Sequence, residues 1–402
     1  MHHRIMTASA YATPPSTEID LGVIALIDEM RDDMKHRVVM EPRRWTGNLR
    51  RLLGALAVQA SNSIEGYNAT LSDVVAAADG DAPLEADEAT RHAVRGYQDA
   101  MTYVLQLAHD SPTVIDEGLL KSLHFMMLKH DLSKNPGLWR PGGVYVRRED
   151  TQEVVYQGPD NELIPPLIAS MLDELEEADA SALIRAAMVH LNLVMVHPFS
   201  DGNGRMARCL QTLVLAREQI SAPVFSSIEE YLGRNTSSYY DILGLVGQGH
   251  WNPDGDARPW VRFCLTAHYR QAKSVLRRVH AFEEMWTVAS GLAEKRRLPE
   301  RCVGPICEAA YGVRVRRATY RSNVEITYGE SIPDQTASRD LRGLVTAGLF
   351  VPIGDTRGRF YVPSDELTAA WRSVRANRPP RHEEDPFELV ADGVQKELNI
   401  AL

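Results

Sequence analysis

The stretch His197-Pro-Phe-Ser-Asp-Gly-Asn-Gly-Arg-Met-Ala-Arg208 sets a histidine, a carboxylate, two glycines and two arginines within twelve residues. Before it lies "ALIRAAMVHLNLVMV", apolar almost all round, and its last residues open "MARCLQTLVLAREQI". The stretch therefore reads as the turn between two buried helices. Gly202-Asn203-Gly204 opens the second helix, where glycine lets the backbone approach a ligand and the first-turn N–H groups favour an anion. Arg205 and Arg208 lie three residues apart on one face, and their guanidinium groups complete a polyphosphate cradle. Asp201 at its mouth is the single carboxylate that, with phosphate oxygens, would hold Mg²⁺. The positive end of the following helix disfavours protonation of His197, leaving a neutral imidazole able to take a proton from a hydroxyl. Phe199 should point inward and pin the loop. Singly, each residue has an ordinary structural reading; jointly they specify nucleotidyl or phosphoryl transfer to a hydroxyl. The Walker spacing is absent, so a P-loop is not the explanation.

Outward from this turn, residues 20 to 250 read mainly as helices with apolar residues at i, i+3 and i+4. One interruption, "GLWRPGGVYVRREDTQEVVYQGPD", has β-favouring runs at Val144 to Arg147 and Glu153 to Tyr156, and reads as a hairpin projecting from a helical body. The run "RPWVRFCLTAHYRQAKSVLRRVHAFEEMW" is long enough to act as a connector. Residues 295 to 360 carry twelve basic residues against seven acidic ones in a chain of net charge −10. There an amphipathic helix, "TASRDLRGLVTAGLF", precedes a hairpin, "VPIGDTRGRFYVP", the order of a winged helix-turn-helix with Arg339 and Arg342 in the recognition position. The expected division is a disordered 1–17, an N-terminal helical region 18–110, a catalytic core 111–270, a connecting helix 271–294, the winged helix 295–365 and a flexible tail 366–402.

At 402 residues, 44% hydrophobic and 24% charged, the chain has the composition of an ordinary soluble protein of several domains. No apolar run reaches the roughly 18 to 20 residues of a membrane helix, and the N-terminus lacks a signal-peptide core, so a cytoplasmic protein without a membrane partner is expected. Cys209, Cys264, Cys302 and Cys307 have no zinc spacing and read as reduced and buried. The acidic balance excludes non-specific coating of nucleic acid.

The twelve-residue stretch resembles the signature His-x-Phe-x-Asp/Glu-Gly-Asn-Gly-Arg-x-x-Arg of the Fic family at every fixed position. That likeness implies a mainly α fold, a helical core with a β-hairpin flap, joined here to the C-terminal winged helix. It also implies transfer of AMP from ATP to Ser, Thr or Tyr hydroxyls of a target protein and of the chain itself. His197 would be the base and Asp201 the Mg²⁺ ligand. Gly202, Asn203, Gly204 and Arg205 would bind the α- and β-phosphates, Arg208 the γ-phosphate. Tyr240 would lie near the adenine. Val144, Tyr145, Val155 and Tyr156 would belong to the flap that aligns an extended target segment by strand addition. Upstream, "SNSIEG" matches the family's inhibitory pattern Ser/Thr-x-x-x-Glu-Gly/Asn, with Ser61 and Glu65 one helical turn apart. Alternatives are a Fic-type enzyme that transfers another nucleotide or phosphocholine, or removes AMP, and a regulator with a nucleotide-sensing core whose winged helix binds DNA or protein. A homodimer is a further option.

Overall fold

The computed structural model describes residues 8–35, 44–81, 85–107, 114–148, 151–217, 227–355, 358–378 and 384–400. Five helices come first: α1 (Glu18–Lys35), α2 (Thr46–Ile64), α3 (Leu71–Ala78), α4 (Glu88–Leu107) and α5 (Glu117–Leu128). A hairpin, β1 (Tyr145–Arg147) and β2 (Val154–Gln157), then leads into α6 (Ile164–Glu177), α7 (Ala182–Val196) and α8 (Asn203–Arg217). α9 (Glu229–Arg234), α10 (Thr236–Gly247) and the long α11 (Arg258–Lys295) follow. The C-terminal unit comprises α12 (Val303–Ala310), α13 (Arg317–Tyr328), α14 (Asp334–Thr346), a hairpin β3 (Phe350–Ile353) and β4 (Phe360–Pro363), α15 (Asp365–Ala376) and α16 (Pro386–Ile400).

The centre is the antiparallel pair α7 and α8, and sequence dictates its position. Nearly every side chain of both helices is buried, in α8 including the polar Arg205, Arg208, Gln211 and Thr212. Ser181 starts α7 by accepting the Ile184 N–H, as an N-cap should. Trp260 of α11 donates its indole N–H to the Ala187 carbonyl at 2.7 Å, closing the core from the C-terminal side. The expected boundary at residue 270 falls inside α11, which is at once the last core helix and the connector. All four cysteines are buried and unpaired. Among the described residues no helix is long and apolar enough to cross a membrane.

Three expectations need correction. The first concerns residues 1–17, of which 1–7 lie outside the described residues. Residues 8–17 are not loose: Tyr11 is fully buried, its N–H donates to Asn192 Oδ1 at 2.8 Å, and Asn192 Nδ2 returns a bond to its carbonyl. A polar composition is no bar to order where one aromatic ring and a reciprocal amide pair anchor the chain. The second concerns the tail, which carries α15 and α16, with Phe387 and Val390 packed on the core and Glu384 bound to Lys273 at 2.6 Å. Two apolar residues three apart suffice for a helix to dock.

The third concerns the C-terminal charge. Helices α12 to α14 precede the β3/β4 hairpin, and Val315 and Tyr361 exchange backbone hydrogen bonds beside it. Yet part of this basic charge is paired within the molecule. Arg296 pairs with Glu366, Arg301 with Asp340, Arg314 with Glu85, and both Arg317 and Arg321 with Asp334. Arg339 and Arg342 remain exposed. Much of this charge therefore joins elements to one another. The unit also grips α2: Arg51 reaches Asp79 at 2.6 Å and Ser322 at 2.8 Å, with Glu308 at 3.4 Å, and Asn48 donates to Thr327 at 2.8 Å. Gly304 permits this approach, since a Cβ there would lie 2.2 Å from Asn323 Oδ1 and 2.9 Å from Asn48 Nδ2.

Asn192→Ala is expected to destabilise the chain by about 1 to 3 kcal/mol, because both polar backbone groups of Tyr11 lose their buried partners. Urea unfolding monitored by tryptophan fluorescence measures it, and an unchanged midpoint would mean that residues 8–17 contribute nothing.

Candidate active site

α7 ends because His197 adopts a left-handed conformation, φ 52° and ψ 55°, uncommon for a residue other than glycine. Its imidazole Nδ1 lies 3.2 Å from the Val194 carbonyl. A carbonyl oxygen can only accept, so Nδ1 carries the hydrogen and Nε2 keeps a free lone pair. Burial pushes the imidazole pKa below its ordinary value; Arg140 acts in the same direction, while the Val194 carbonyl, Glu65 and Asp201 oppose it. The imidazole is thus held neutral at neutral pH, with burial as the first cause where the sequence pointed to the start of the following helix.

The loop after it is held by residues that the motif alone does not reveal. Phe199 is fully buried and stacks on His124 at 3.7 Å. His124 Nδ1 accepts the Gly137 N–H at 2.8 Å, so its Nε2–H donates to the Asp201 carbonyl at 2.9 Å. Burial lowers its pKa to about 4, which keeps this tautomer neutral. Arg140 donates from Nε to the His197 carbonyl at 2.8 Å. The Asn203 side chain is consumed locally, accepting from Phe199 N and donating to Phe199 O, each at 2.9 Å. What Asn203 offers a phosphate is therefore its backbone amide alone.

The helix start is open to an anion. Among intrahelical bonds the first is Met206 N to Gly202 O, leaving the amides of Asn203, Gly204 and Arg205 ahead of it. The Gly202 amide is already taken by Asp201 Oδ1 at 2.6 Å, so it is not free for phosphate as expected. Arg205 is completely buried, and none of its three guanidinium nitrogens makes a hydrogen bond. Its neighbours are Asp201 at 3.8 Å and the face of Tyr67 at 5.2 Å. A buried cation so poorly paired is costly, and an entering anion would remove that cost. Asp201 is partly exposed, with Oδ2 facing Lys134 at 3.6 Å. Among the described residues no group of three or more His, Cys, Asp or Glu could hold a metal. A lone partly exposed carboxylate beside an anion hole fits Mg²⁺ shared with phosphate oxygens, and does not fit an all-protein cage.

Arg208, also buried, is engaged by the end of α2. Its Nε donates to Ser61 Oγ at 2.7 Å, and its Nη2 to the Ser61 carbonyl at 3.0 Å and to Glu65 Oε1 at 2.6 Å. Burial alone would lower its pKa, but Glu65, followed by Tyr239 and Tyr97, holds it above the ordinary value. Glu65 Oε1 also lies against the start of α8: a Cβ on Gly204 would come within 2.4 Å of it, so a side chain there would push the carboxylate aside. Ser61 and Glu65 thus meet the motif as their spacing predicts. Tyr97, which sequence reading missed, bonds Glu229 at 2.7 Å behind Arg208, and burial pushes the Glu229 carboxyl up to about 7.

The remaining site residues divide. Tyr240 is half exposed, with its hydroxyl 3.4 Å from the Ile64 carbonyl at the end of α2. Tyr239 and Trp260 are core. In the hairpin, Tyr145 and Val155 are exposed, whereas Tyr156 is buried and donates to the Met195 carbonyl at 2.7 Å. Tyr156 therefore anchors the flap and does not face a target. Gly158 N donates to the Val144 carbonyl, so by antiparallel alternation the N–H and C=O of Tyr145 point away from β2. The outer edge of β2 is met by Gly249 and Trp251 through Gln157. Among the described residues no strand pairs with the outer edge of β1.

Comparison with known proteins agrees with this geometry. The model of the Fic/DOC family matches residues 114–215, from just before α5 into the last turn of α8. Protein adenylyltransferase fic-1 of Caenorhabditis elegans is 27% identical over 265 residues, 63% of this chain and 47% of its own length. Protein adenylyltransferase Fic of Nematostella vectensis is 28% identical over 264 residues, 63% of this chain and 55% of its own. The chain thus spans about half the length of the curated relatives it matches. A Fic family protein from Desulfovibrio desulfuricans G20 has a similar fold, with TM-score 0.57 and 22% identity over 88% of this chain and 98% of that one. A Fic domain containing signaling protein from Bacteroides thetaiotaomicron has TM-score 0.54 and 20% identity over 63% and 96%.

Arg205→Met is expected to stabilise the nucleotide-free chain by about 1 to 3 kcal/mol, since a buried cation without hydrogen bonds and with only a distant carboxylate is replaced by a fitting apolar side chain. The same change should abolish the rise in melting temperature on adding ATP. Scanning calorimetry with and without ATP checks both, and a less stable variant that ATP still stabilises would remove Arg205 from the anion site.

Proposed function

Residues 114–215 form a Fic/DOC family domain, and from that premise we propose that the chain is a protein adenylyltransferase that transfers AMP from ATP to Ser, Thr or Tyr hydroxyls. The observation that carries this reading is a pair of groups at the two ends of the turn between α7 and α8. One is a neutral imidazole with a free Nε2; the other is a buried guanidinium, Arg205, with no hydrogen-bond partner. The first suits removal of a proton from a hydroxyl, and the second suits the polyphosphate from which a nucleotidyl group leaves. The relatives named above are protein adenylyltransferases by name.

In this mechanism His197 Nε2 takes the hydroxyl proton as the oxygen attacks the α-phosphorus. The bond from the α-phosphorus to the bridging oxygen breaks, and pyrophosphate departs on that oxygen. The amides of Asn203, Gly204 and Arg205 and the Arg205 guanidinium receive the phosphate charge where water is excluded. Mg²⁺, shared between Asp201 and phosphate oxygens, would neutralise part of that charge. The open edge of β1 at Tyr145 offers its N–H and C=O to an extended target segment.

Glu65 restrains the reaction. Its carboxylate holds Arg208 and lies on the helix start, so a triphosphate whose γ-phosphate needs that guanidinium must compete with it. The reactive geometry is then lost even where ATP enters.

Incubation with ATP labelled in the α-phosphate tests this directly. Glu65→Gly should label itself or a target about ten- to a hundredfold faster than wild type, equivalent to about 1.4 to 2.7 kcal/mol. His197→Ala added to that variant should abolish labelling while ATP still binds. Equal labelling in wild type and Glu65→Gly would end the inhibitory assignment.

The pH profile has a definite sign. The base must be neutral, and burial sets its pKa below the ordinary 6.5. Removing Glu65, which favours the protonated form, lowers it further. Transfer by Glu65→Gly should therefore persist as pH falls through the ordinary histidine range and fail only below it; loss of rate centred above pH 6.5 would contradict the assignment.

A further inference from the structure

Arg140 is an arginine that no charge explains. It is 4% exposed, and among the described residues no carboxylate lies within ion-pair distance of it. Every bond it makes goes to a backbone carbonyl. Its Nε donates to His197 O at 2.8 Å, its Nη1 to Gly142 O, its Nη2 to Pro159 O and, at 3.5 Å, to Val196 O. Its own amide donates to Pro198 O at 2.9 Å. These carbonyls belong to two structures. Val196, His197 and Pro198 are the turn that carries the base; Gly142 and Pro159 are the two feet of the β1/β2 hairpin. At Gly158 the feet are too close for a side chain, since a Cβ would lie 2.5 Å from Val144 Cγ1 and 3.6 Å from Arg140 Nη2.

We propose that Arg140 is a positioning residue that holds the base and the target-presenting hairpin in one fixed register. The kinetic arm of this proposal rests on the adenylyl-transfer reading. A left-handed residue persists only where its surroundings over-determine it, and Arg140 supplies that hold on the His197 carbonyl side. A planar five-donor fork can serve carbonyls lying in several directions at once; a lysine ammonium, a point charge on a flexible stem, cannot match that set. Attack of a hydroxyl on phosphorus is sensitive to misplacement by an ångström. One guanidinium that fixes both the hydrogen acceptor and the strand delivering the hydroxyl therefore acts on turnover more than on nucleotide binding.

Charge supplies a readout that packing alone would not move. His197 faces Arg140 from the segment before the hairpin, Glu65 from the end of α2, Asp201 from its own loop and the Val194 carbonyl from α7. Arg140 is the cation in that set, so neutralising it should raise the imidazole titration.

The test uses the full chain carrying Glu65→Gly, with Arg140→Gln and Arg140→Lys compared. In Arg140→Gln, kcat should fall at least about tenfold with ATP affinity within about twofold. The His197 imidazole, followed by NMR without substrate, should titrate higher. Amides of residues 145–157 should exchange at least about tenfold faster. Arg140→Lys should leave the His197 titration near its starting point, because the charge stays, yet still lose kcat and hairpin protection. Should Arg140→Gln not fold, Arg140→Lys alone decides through kcat and exchange. Unchanged hairpin exchange, or an unmoved His197 titration in a folded Arg140→Gln, overturns the proposal. The titration and exchange need no turnover, so a parent chain that transfers no AMP defeats the functional reading and leaves these two measurements to judge Arg140.

Discussion

A guanidinium sealed from water must find acceptors in protein or in a ligand, and this constraint shapes the whole site. α8 is buried on nearly all sides, so Arg205 and Arg208 cannot reach solvent as surface arginines do. Arg208 is held through Nε and Nη2 by Ser61 and Glu65, with Nη1 unbonded. Arg205 is left with unbonded nitrogens. The first fact fixes where the end of α2 must lie; the second is the deficit that the proposed anion would make good. Base, loop and hairpin are then arranged around a cradle that is half filled by the protein's own carboxylate.

The contact of Glu65 with Arg208 is also tied to the far end of the chain. α2 has 19 residues, a rod of about 28 Å at 1.5 Å per residue. Its last turn grips Arg208, and its first turns are gripped by α12 and α13 through Asn48 and Arg51. Arg51 lies among two carboxylates, Asp79 and Glu308, each of which burial pushes upward in pKa. The C-terminal unit is thus part of the scaffold that sets Glu65 against the motif, and its arginines pair across to residues 81 and 85 as well.

Legibility in the sequence followed distance along the chain. The motif's parts could be read together because they lie within twelve residues, and the contact of Ser61 and Glu65 with Arg208 because one helical turn separates the two. His124 and Arg140 could not be read. They reach the loop from 77 and 57 residues away, and as single residues in ordinary surroundings they carry no spacing signal. Asn203 and Gly202 were legible as members of the cradle but not in their detailed use, since an amide or side chain spent inside a loop looks no different in sequence from one turned to a ligand. The local charge excess was readable only as a sum, because several of its arginines pair with carboxylates in other elements. At both ends of the chain, composition concealed the few apolar residues, Tyr11, Phe387 and Val390, that order their segments.

The central claim is that Glu65 and a γ-phosphate require the same guanidinium, and titration calorimetry of ATP against ADP measures this most directly. If Arg208 is the shared group, Glu65→Gly should bind ATP about tenfold more tightly than wild type. ADP, which has no γ-phosphate, should bind both within about twofold. An equal gain for ADP and ATP, or no gain for either, would contradict the claim that Glu65 occupies the place of the γ-phosphate.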